Sequence, residues 1–129
     1  MSIFVLNPKA QIILVNADII GHEGTHTIRM IFDTGASFTM IHPDVLVRIG
    51  CEPTTLKKQK ITTASGIEFV SFITIPEIRV LGERATNLEI SVHDLPSNLP
   101  AEGLLGLNFL RNFNLHLNFL DNQLEVISR

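Results

Sequence analysis

The segment Phe32-Asp33-Thr34-Gly35-Ala36-Ser37 sets the architecture of this 129-residue chain. The preceding residues, 25–32, first alternate in polarity and then become continuously apolar, which is typical of a strand that enters a core at its end. Asp33 therefore stands where a buried strand gives way to a turn. Gly35 allows close approach of the backbone, and its amide can hydrogen-bond the Asp33 carboxylate. The segment predicts a carboxylate held on a tight loop at a strand end.

Strand signals continue on both sides of this segment. Each pair of strand-like runs is separated by a short polar or glycine-containing turn, as in antiparallel hairpins. The predicted pairs are 11–20 with 25–32, 54–63 with 67–75, 77–81 with 87–93, and 115–119 with 123–127. We expect Pro76 to end the second pair, because proline cannot donate to a strand ladder. Residues 95–102 hold two prolines and little periodicity, so they are predicted to be a loop.

Two short helices are predicted between the strands. The first follows His42-Pro43-Asp44, where Val45, Leu46 and Ile49 recur at helical spacing before Gly50. The second follows Gly103-Leu104-Leu105-Gly106 and carries Leu107, Phe109, Leu110 and Phe113.

The composition favours one all-β domain over residues 1–129. Apolar residues make up 45% of the chain, and Ile, Val and Thr together number 34, which excludes a disordered or coiled-coil chain. The net charge of −3 is spread along the chain without a basic patch, so we expect neither nucleic-acid nor membrane partners. A lone Cys51 cannot form an internal disulfide, and no leader or membrane span is seen, so a cytoplasmic location is predicted.

The Asp33 segment together with Gly103-Leu104-Leu105-Gly106-Leu107-Asn108 resembles the retropepsin-like aspartic proteases. Members of that family are homodimers with a hydrophobic-hydrophobic-Asp-Thr/Ser-Gly-Ala segment and a later hydrophobic-hydrophobic-Gly segment. The resemblance covers nearly the whole chain. It implies a closed β-barrel or sandwich with a flap hairpin and one or two short helices.

The resemblance also implies the site residues and their roles. Asp33 is the expected catalytic residue, and Thr34, Gly35, Ala36 and Ser37 are the expected active-site loop. The remaining expected residues are Thr63, Ala64, Ser65 and Gly66 at the flap tip, Ile31, Met40 and Leu104 in apolar substrate pockets, and 123–128 as a candidate for an intersubunit sheet. No cofactor or metal is expected, and the expected partner is a peptide or protein substrate.

The number of carboxylates implies a homodimer. Aspartic proteolysis needs two carboxylates, one acting as base on a water and one as acid toward the scissile carbonyl. This chain offers one Asp-Thr-Gly, and a two-fold axis would bring Asp33 of a second copy opposite the first. The viral members usually carry an acid at the position of Ser37 and a base at that of Leu107, so this sequence resembles the cellular or bacterial branch.

Two alternative functions compete with this interpretation. The first is a non-catalytic dimeric peptide-binding or scaffold module with the same fold. The second is a zinc protease, because His22-Glu23-Gly24-Thr25-His26 matches the H-E-x-x-H pattern, in which two histidines on one helix face bind zinc. The flanking glycines and the β-branched threonines favour a hairpin over a helix at this position.

Overall fold

A computed structural model describes residues 2–51, 57–64 and 66–128, which are mostly β-structure. The strands are β1 (Ser2–Val5), β2 (Leu14–Gly21), β3 (Gly24–Phe32), β4 (Met40–Ile41), β5 (Lys57–Thr63), β6 (Gly66–Val80), β7 (Glu83–Val92), β8 (Gly103–Leu105), β9 (Phe113–Asn118) and β10 (Gln123–Ser128). The helices are α1 (Pro43–Arg48) and α2 (Leu107–Leu110). The all-β class and the two short helices are thus confirmed. The second helix is shorter than predicted, because it ends at Leu110 and Phe113 begins β9.

Six strands close into a barrel. Their order is β2-β3-β8-β4-β7-β6, and β6 then pairs with β2 to complete the ring. Strand β5 pairs only with β6, so the β5–β6 hairpin extends beyond the ring. The core of the barrel is filled by aliphatic, methionine and aromatic side chains that are fully or almost fully buried. They include Ile19, Ile28, Met30, Ile41, Ile75, Ile90, Leu105 and Phe109.

Strand β6 departs from the prediction that a strand ends at Pro76. It runs without a break from Gly66 to Val80, because Pro76 lies where β6 changes neighbours. Strand β5 covers one edge of β6 as far as Phe72, and β2 covers the same edge only from Glu77 onward. Pro76 falls between these two pairings, so its missing N–H removes no hydrogen bond there.

A second sheet joins the two ends of the described chain. Strand β10 is its central strand and pairs with β1 on one side and β9 on the other. Strand β1 was not expected from the sequence. Both edges of residues 123–126 are occupied within the chain, so this stretch has no free edge for a strand of a partner subunit. An intersubunit sheet that includes 123–128 remains a prediction.

Helix α1 begins where the sequence predicts it. The His42 side chain caps it by accepting a hydrogen bond from the Asp44 N–H at 3.1 Å, and Pro43 occupies the first turn. Val45 and Leu46 are buried against the barrel, and Ile49 follows them into the core. In the part of the chain that the structure describes, neither helix has the length and apolar character needed to cross a membrane.

Candidate active site

Asp33 lies at the end of β3, on a loop that begins as the strand leaves the core. Its backbone N–H donates to the Leu105 carbonyl at 3.0 Å, which ties the start of the loop to β8. Its Oδ1 accepts a hydrogen bond from the Gly35 N–H at 2.9 Å. Phe32 is buried, Asp33 is half-buried and Thr34 is exposed, so the loop presents an oriented carboxylate at the surface.

The turn at Gly106 packs against the Asp33 loop and hydrogen-bonds its backbone. The N–H groups of Leu107 and Asn108 donate to the carbonyls of Ala36 and Ser37, at 2.8 and 3.2 Å. A Cβ atom on Gly106 would lie 2.6 Å from the carbonyl carbon and oxygen of Phe38. Only glycine allows the two loops to approach this closely.

Partly buried hydrogen bonds between Thr39 and Asn108 link the two loops. The Asn108 Oδ1 accepts from both the N–H and the Oγ1 hydroxyl of Thr39, each at 2.8 Å. Thr39 Oγ1 in turn accepts from the Gly106 N–H at 3.2 Å, and Asn108 Nδ2 donates to the Glu89 carbonyl. Because Thr39 is completely buried, each of its polar groups needs these partners.

A groove of about 480 Å³ runs beside the Asp33 loop. One wall contains an edge-to-face pair in which the ring centroids of Phe38 and Phe72 lie 4.9 Å apart. No lining residue carries a charge. The lining consists of Gly35, Ala36, Ser37, Phe38, Met40, Thr62, Ala64, Phe72 and Ser91. Such a groove suits uncharged side chains of an extended peptide.

Comparison with known proteins assigns this arrangement to a family. The family model described as "Aspartyl protease" matches residues 15–109, a range that includes the Asp33 loop, the groove and the Gly106 turn. The chain belongs to the aspartyl protease family.

The fold of this aspartyl protease is retropepsin-like. It is similar to the crystal structure of a retropepsin-like aspartic protease from Rickettsia conorii, with a TM-score of 0.69. The two sequences are 22% identical, and the match covers 96% of this chain and 87% of that chain. A search of curated proteins finds no match.

The expected pocket residues of the aspartyl protease lie in one row across adjacent strands. Ile31 pairs with Leu104 in parallel register, and Leu104 pairs with Met40 in antiparallel register. All three are half-buried. Met40 lines the groove, whereas Ile31 and Leu104 are not among its lining residues. A pocket role for these two therefore remains a prediction.

The expected flap tip lies at the turn between β5 and β6. Thr63 and Gly66 pair with each other at the end of that hairpin, and Ala64 lines the groove together with Thr62. Ser65 lies outside the described residues. The hairpin therefore brings part of its tip to the groove that the Asp33 loop borders.

The zinc alternative requires a helix that this aspartyl protease does not form at that position. His22 and Glu23 occupy the two-residue turn between β2 and β3, and His26 lies on β3. His26 Nε2 is 3.1 Å from Arg48 Nη1. No group of three or more metal-ligating side chains is found among residues 2–51, 57–64 and 66–128. The residues that match H-E-x-x-H thus lie on a hairpin and its turn, not on one face of a helix.

Four residues at the site were missed by the sequence analysis. Thr39 and Asn108 form the hydrogen bonds that join the loops, and Phe38 and Phe72 form a wall of the groove. Asn108 directly follows the hydrophobic-hydrophobic-Gly-Leu stretch, and this position is the signal by which it could have been found. Its partner Thr39 lies 69 residues away in sequence, and no local pattern links the two.

Proposed function

We propose that this chain is an aspartic endopeptidase that hydrolyses peptide bonds with water activated by two Asp33 carboxylates, one from each subunit of a homodimer. Residues 1–129 would act as a single protease domain. The observation that carries the proposal is the Asp33 loop itself. Its carboxylate is oriented by the Gly35 amide, and the loop residues that follow, from Gly35 to Phe38, line an uncharged groove. The chain belongs to the aspartyl protease family.

The position of Gly106 supports a two-chain site. Strands β3 and β8 are parallel neighbours, with Ile31 beside Leu104 and Phe32 beside Leu105. The residue after Phe32 is Asp33, whereas the residue after Leu105 is Gly106. The matching strand end therefore supplies no second carboxylate, and a symmetric partner would supply it.

Two carboxylates at a two-fold axis would share one proton. Like charges a few ångströms apart cannot both ionise without a large cost, so the working form carries a single negative charge. The ionised carboxylate accepts a proton from water as the water attacks the scissile carbonyl. The protonated carboxyl donates to the carbonyl oxygen, and proton transfer to the nitrogen then lets the amine leave.

The loop residues have supporting roles in this proposal. Thr34 is exposed beside Asp33, where it could hydrogen-bond the loop of the partner subunit across the axis. The Gly35 carbonyl is offered to the substrate backbone. The tip at Ala64 and Gly66 would close over the peptide and exclude water. These roles require no cofactor.

Asp33→Asn tests the proposal directly. The neutral amide cannot act as base, so cleavage of a diverse peptide mixture should fall by about 10³-fold or more. Products are identified by mass spectrometry between pH 3 and 7, with and without pepstatin or a metal chelator. The matched control is Asp94→Asn, which neutralises a carboxylate that is 83% exposed and absent from the groove lining.

The result also separates the proposal from its competitor. Loss of cleavage in Asp33→Asn alone, with peptide binding retained, supports the protease. Saturable peptide binding by the wild type without turnover at any pH would instead favour the non-catalytic binding module. Equal turnover by wild type and Asp33→Asn would contradict the proposed chemistry.

A further inference from the structure

Strand β5 is the longest strand with a free edge in the part of the chain that the structure describes. It pairs with β6 along its whole length and has no second neighbour there. Strands β1 and β9 also have one neighbour each, but they contain four and six residues, whereas β5 contains seven. An unpaired strand edge presents a row of N–H and C=O groups that can pair with another extended chain.

The register of the β5–β6 hairpin identifies the backbone groups at this edge. Thr63 pairs with Gly66, and two residues lie between them, as in a tight hairpin whose closing pair exchanges both hydrogen bonds. Hydrogen-bonded and non-hydrogen-bonded pairs alternate along an antiparallel ladder. Every second residue of β5 from Thr63 therefore bonds to β6, whereas the N–H and C=O groups of Lys58, Lys60 and Thr62 point to the free edge.

The β5 strand is basic in an acidic chain. Residues 57–60 read Lys-Lys-Gln-Lys and contain three of the four lysines of the chain, whose net charge is −3. No acid lies on β5, and Glu68, the acid on the facing stretch of β6, is the register partner of Ile61 rather than of a lysine. Lys60 is exposed. The strand thus combines unpaired main-chain groups with an excess of positive charge.

The face of the hairpin that carries Lys60 is open. Residues directly opposite on neighbouring strands share a face, and the partner of Lys60 is Phe69. Phe69 is 72% and Ile67 58% exposed, and neither lines the groove beside the Asp33 loop. The side chains of a strand added at the β5 edge would therefore lie beside Lys60 on an uncovered surface.

We infer that the free edge of β5 is a docking site for an extended acidic segment of a partner protein, which joins the sheet as an additional strand. Main-chain hydrogen bonds to Lys58, Lys60 and Thr62 would supply affinity, and carboxylates opposite the lysines would supply selectivity. Thr62 also lines the groove, so the docking site adjoins the proposed catalytic groove, whereas Lys60 lies outside it. The inference goes beyond the proposed function, because docking requires no cleavage.

The same lysines disfavour a second copy of this chain at this edge. In a two-fold contact the β5 strands of two copies would pair with each other. Each strand carries three lysines and no acid, so this pairing would bring like charges together. An acidic segment would instead meet an opposite charge at the same positions.

The probe is a dansyl-labelled peptide in which glutamate alternates with valine over seven residues, the length of β5. The control peptide has lysine in place of each glutamate. Binding is followed by fluorescence anisotropy with chains that carry Asp33→Asn, so that the proposed chemistry cannot cleave the probe. We expect saturable binding of the glutamate probe that weakens severalfold with added salt. The lysine peptide should bind about tenfold more weakly or worse.

Two changes at Lys60 test the charge and the backbone separately. Lys60→Glu should raise the dissociation constant of the glutamate probe by about fivefold or more, because like charges then face each other. Lys60→Pro removes the outward N–H without removing a bond to β6, and it should raise the constant by about the same factor. The matched control is Lys9→Glu, at the one lysine outside β5, which is also exposed. It should change the constant by less than about twofold. Thermal unfolding checks that every variant folds.

The outcomes separate this inference from the proposed function. Selective binding of the glutamate probe that both Lys60 variants weaken supports the inference, whether or not the wild type cleaves peptide. No saturable binding up to about 1 mM probe overturns it, even if the wild type is an active protease. Binding that both Lys60 variants retain but Phe69→Ser loses overturns it in favour of docking on the apolar face. Binding of phosphatidylserine vesicles but not of the probe overturns it in favour of a membrane surface.

Discussion

The Asp33 loop and the Gly106 turn begin alike and end differently. Both follow two apolar residues at the end of a strand, and the two strands lie side by side in parallel register. The first ends in a carboxylate on an exposed loop. The second ends in a glycine that packs against the backbone of Ala36 and Phe38. We call the first the reactive loop, because it carries the proposed catalytic residue, and the second the support, because it packs against that loop.

This difference explains where stability and chemistry reside. The support includes the completely buried Thr39 and the half-buried Asn108, which hydrogen-bond each other. The reactive loop leaves Thr34 and Gly35 exposed. We therefore expect substitutions in the support to affect folding first, and substitutions in the loop to affect activity first.

Gly106→Ala should have the largest effect on stability. Its Cβ would lie 2.6 Å from Phe38 backbone atoms and 2.9 Å from the Ala36 carbonyl oxygen, and neither can move without displacing the loop. We expect the free energy of unfolding to fall by about 3 kcal/mol or more. Urea denaturation followed by circular dichroism measures this loss. A variant as stable as the wild type would show that the close packing of the loops is unimportant.

Asn108→Ala should have the next largest effect. It removes the acceptor for the N–H and the hydroxyl of Thr39, which are buried and have no access to water. The expected loss is about 2 to 3 kcal/mol in the free energy of unfolding, from the same denaturation measurement. Asn114→Ala, at an exposed position of β9, is the matched control and should change it by less than about 0.5 kcal/mol.

Gly35→Ala should have the smallest effect on stability but a clear effect on activity. Among the described residues other than its chain neighbours, the new Cβ would approach Asp33 Oδ1 at 3.2 Å, the end of a side chain that can rotate away. We expect less than about 1 kcal/mol of destabilisation. Displacing the carboxylate should lower kcat by about tenfold or more, because productive geometry tolerates little misplacement. Unchanged peptide cleavage in this variant would show that the contact between Gly35 and Asp33 is not needed for catalysis.

The reactive loop was predictable from sequence because its signals are local. An apolar strand end, an acid and a glycine stand within five residues, from Ile31 to Gly35. The cap of helix α1 at His42 and the glycine turn between β2 and β3 are local signals of the same kind. These elements were predicted with nearly correct boundaries.

The support around Gly106 and the β1-β10-β9 sheet could not be predicted from local signals. The Thr39–Asn108 contact joins residues that are distant in sequence, and Pro76 is tolerated only because β5 and β2 leave that edge free. Strand β1 is held by its pairing with β10, more than a hundred residues later in the chain. Such features depend on the closed topology, which no short pattern encodes.

The central claim is that each active site is built from two chains, and subunit mixing tests it most directly. Wild-type chains are incubated with about a ninefold excess of Asp33→Asn chains until subunits exchange, with peptide in excess over both. Random pairing leaves about one tenth of the wild-type chains in wild-type dimers, so activity per wild-type chain should fall to about one tenth. The same mass of an unrelated protein is the control and should leave it unchanged. Constant activity per wild-type chain in the presence of excess Asp33→Asn, with sedimentation showing a monomer, would contradict the two-chain active site.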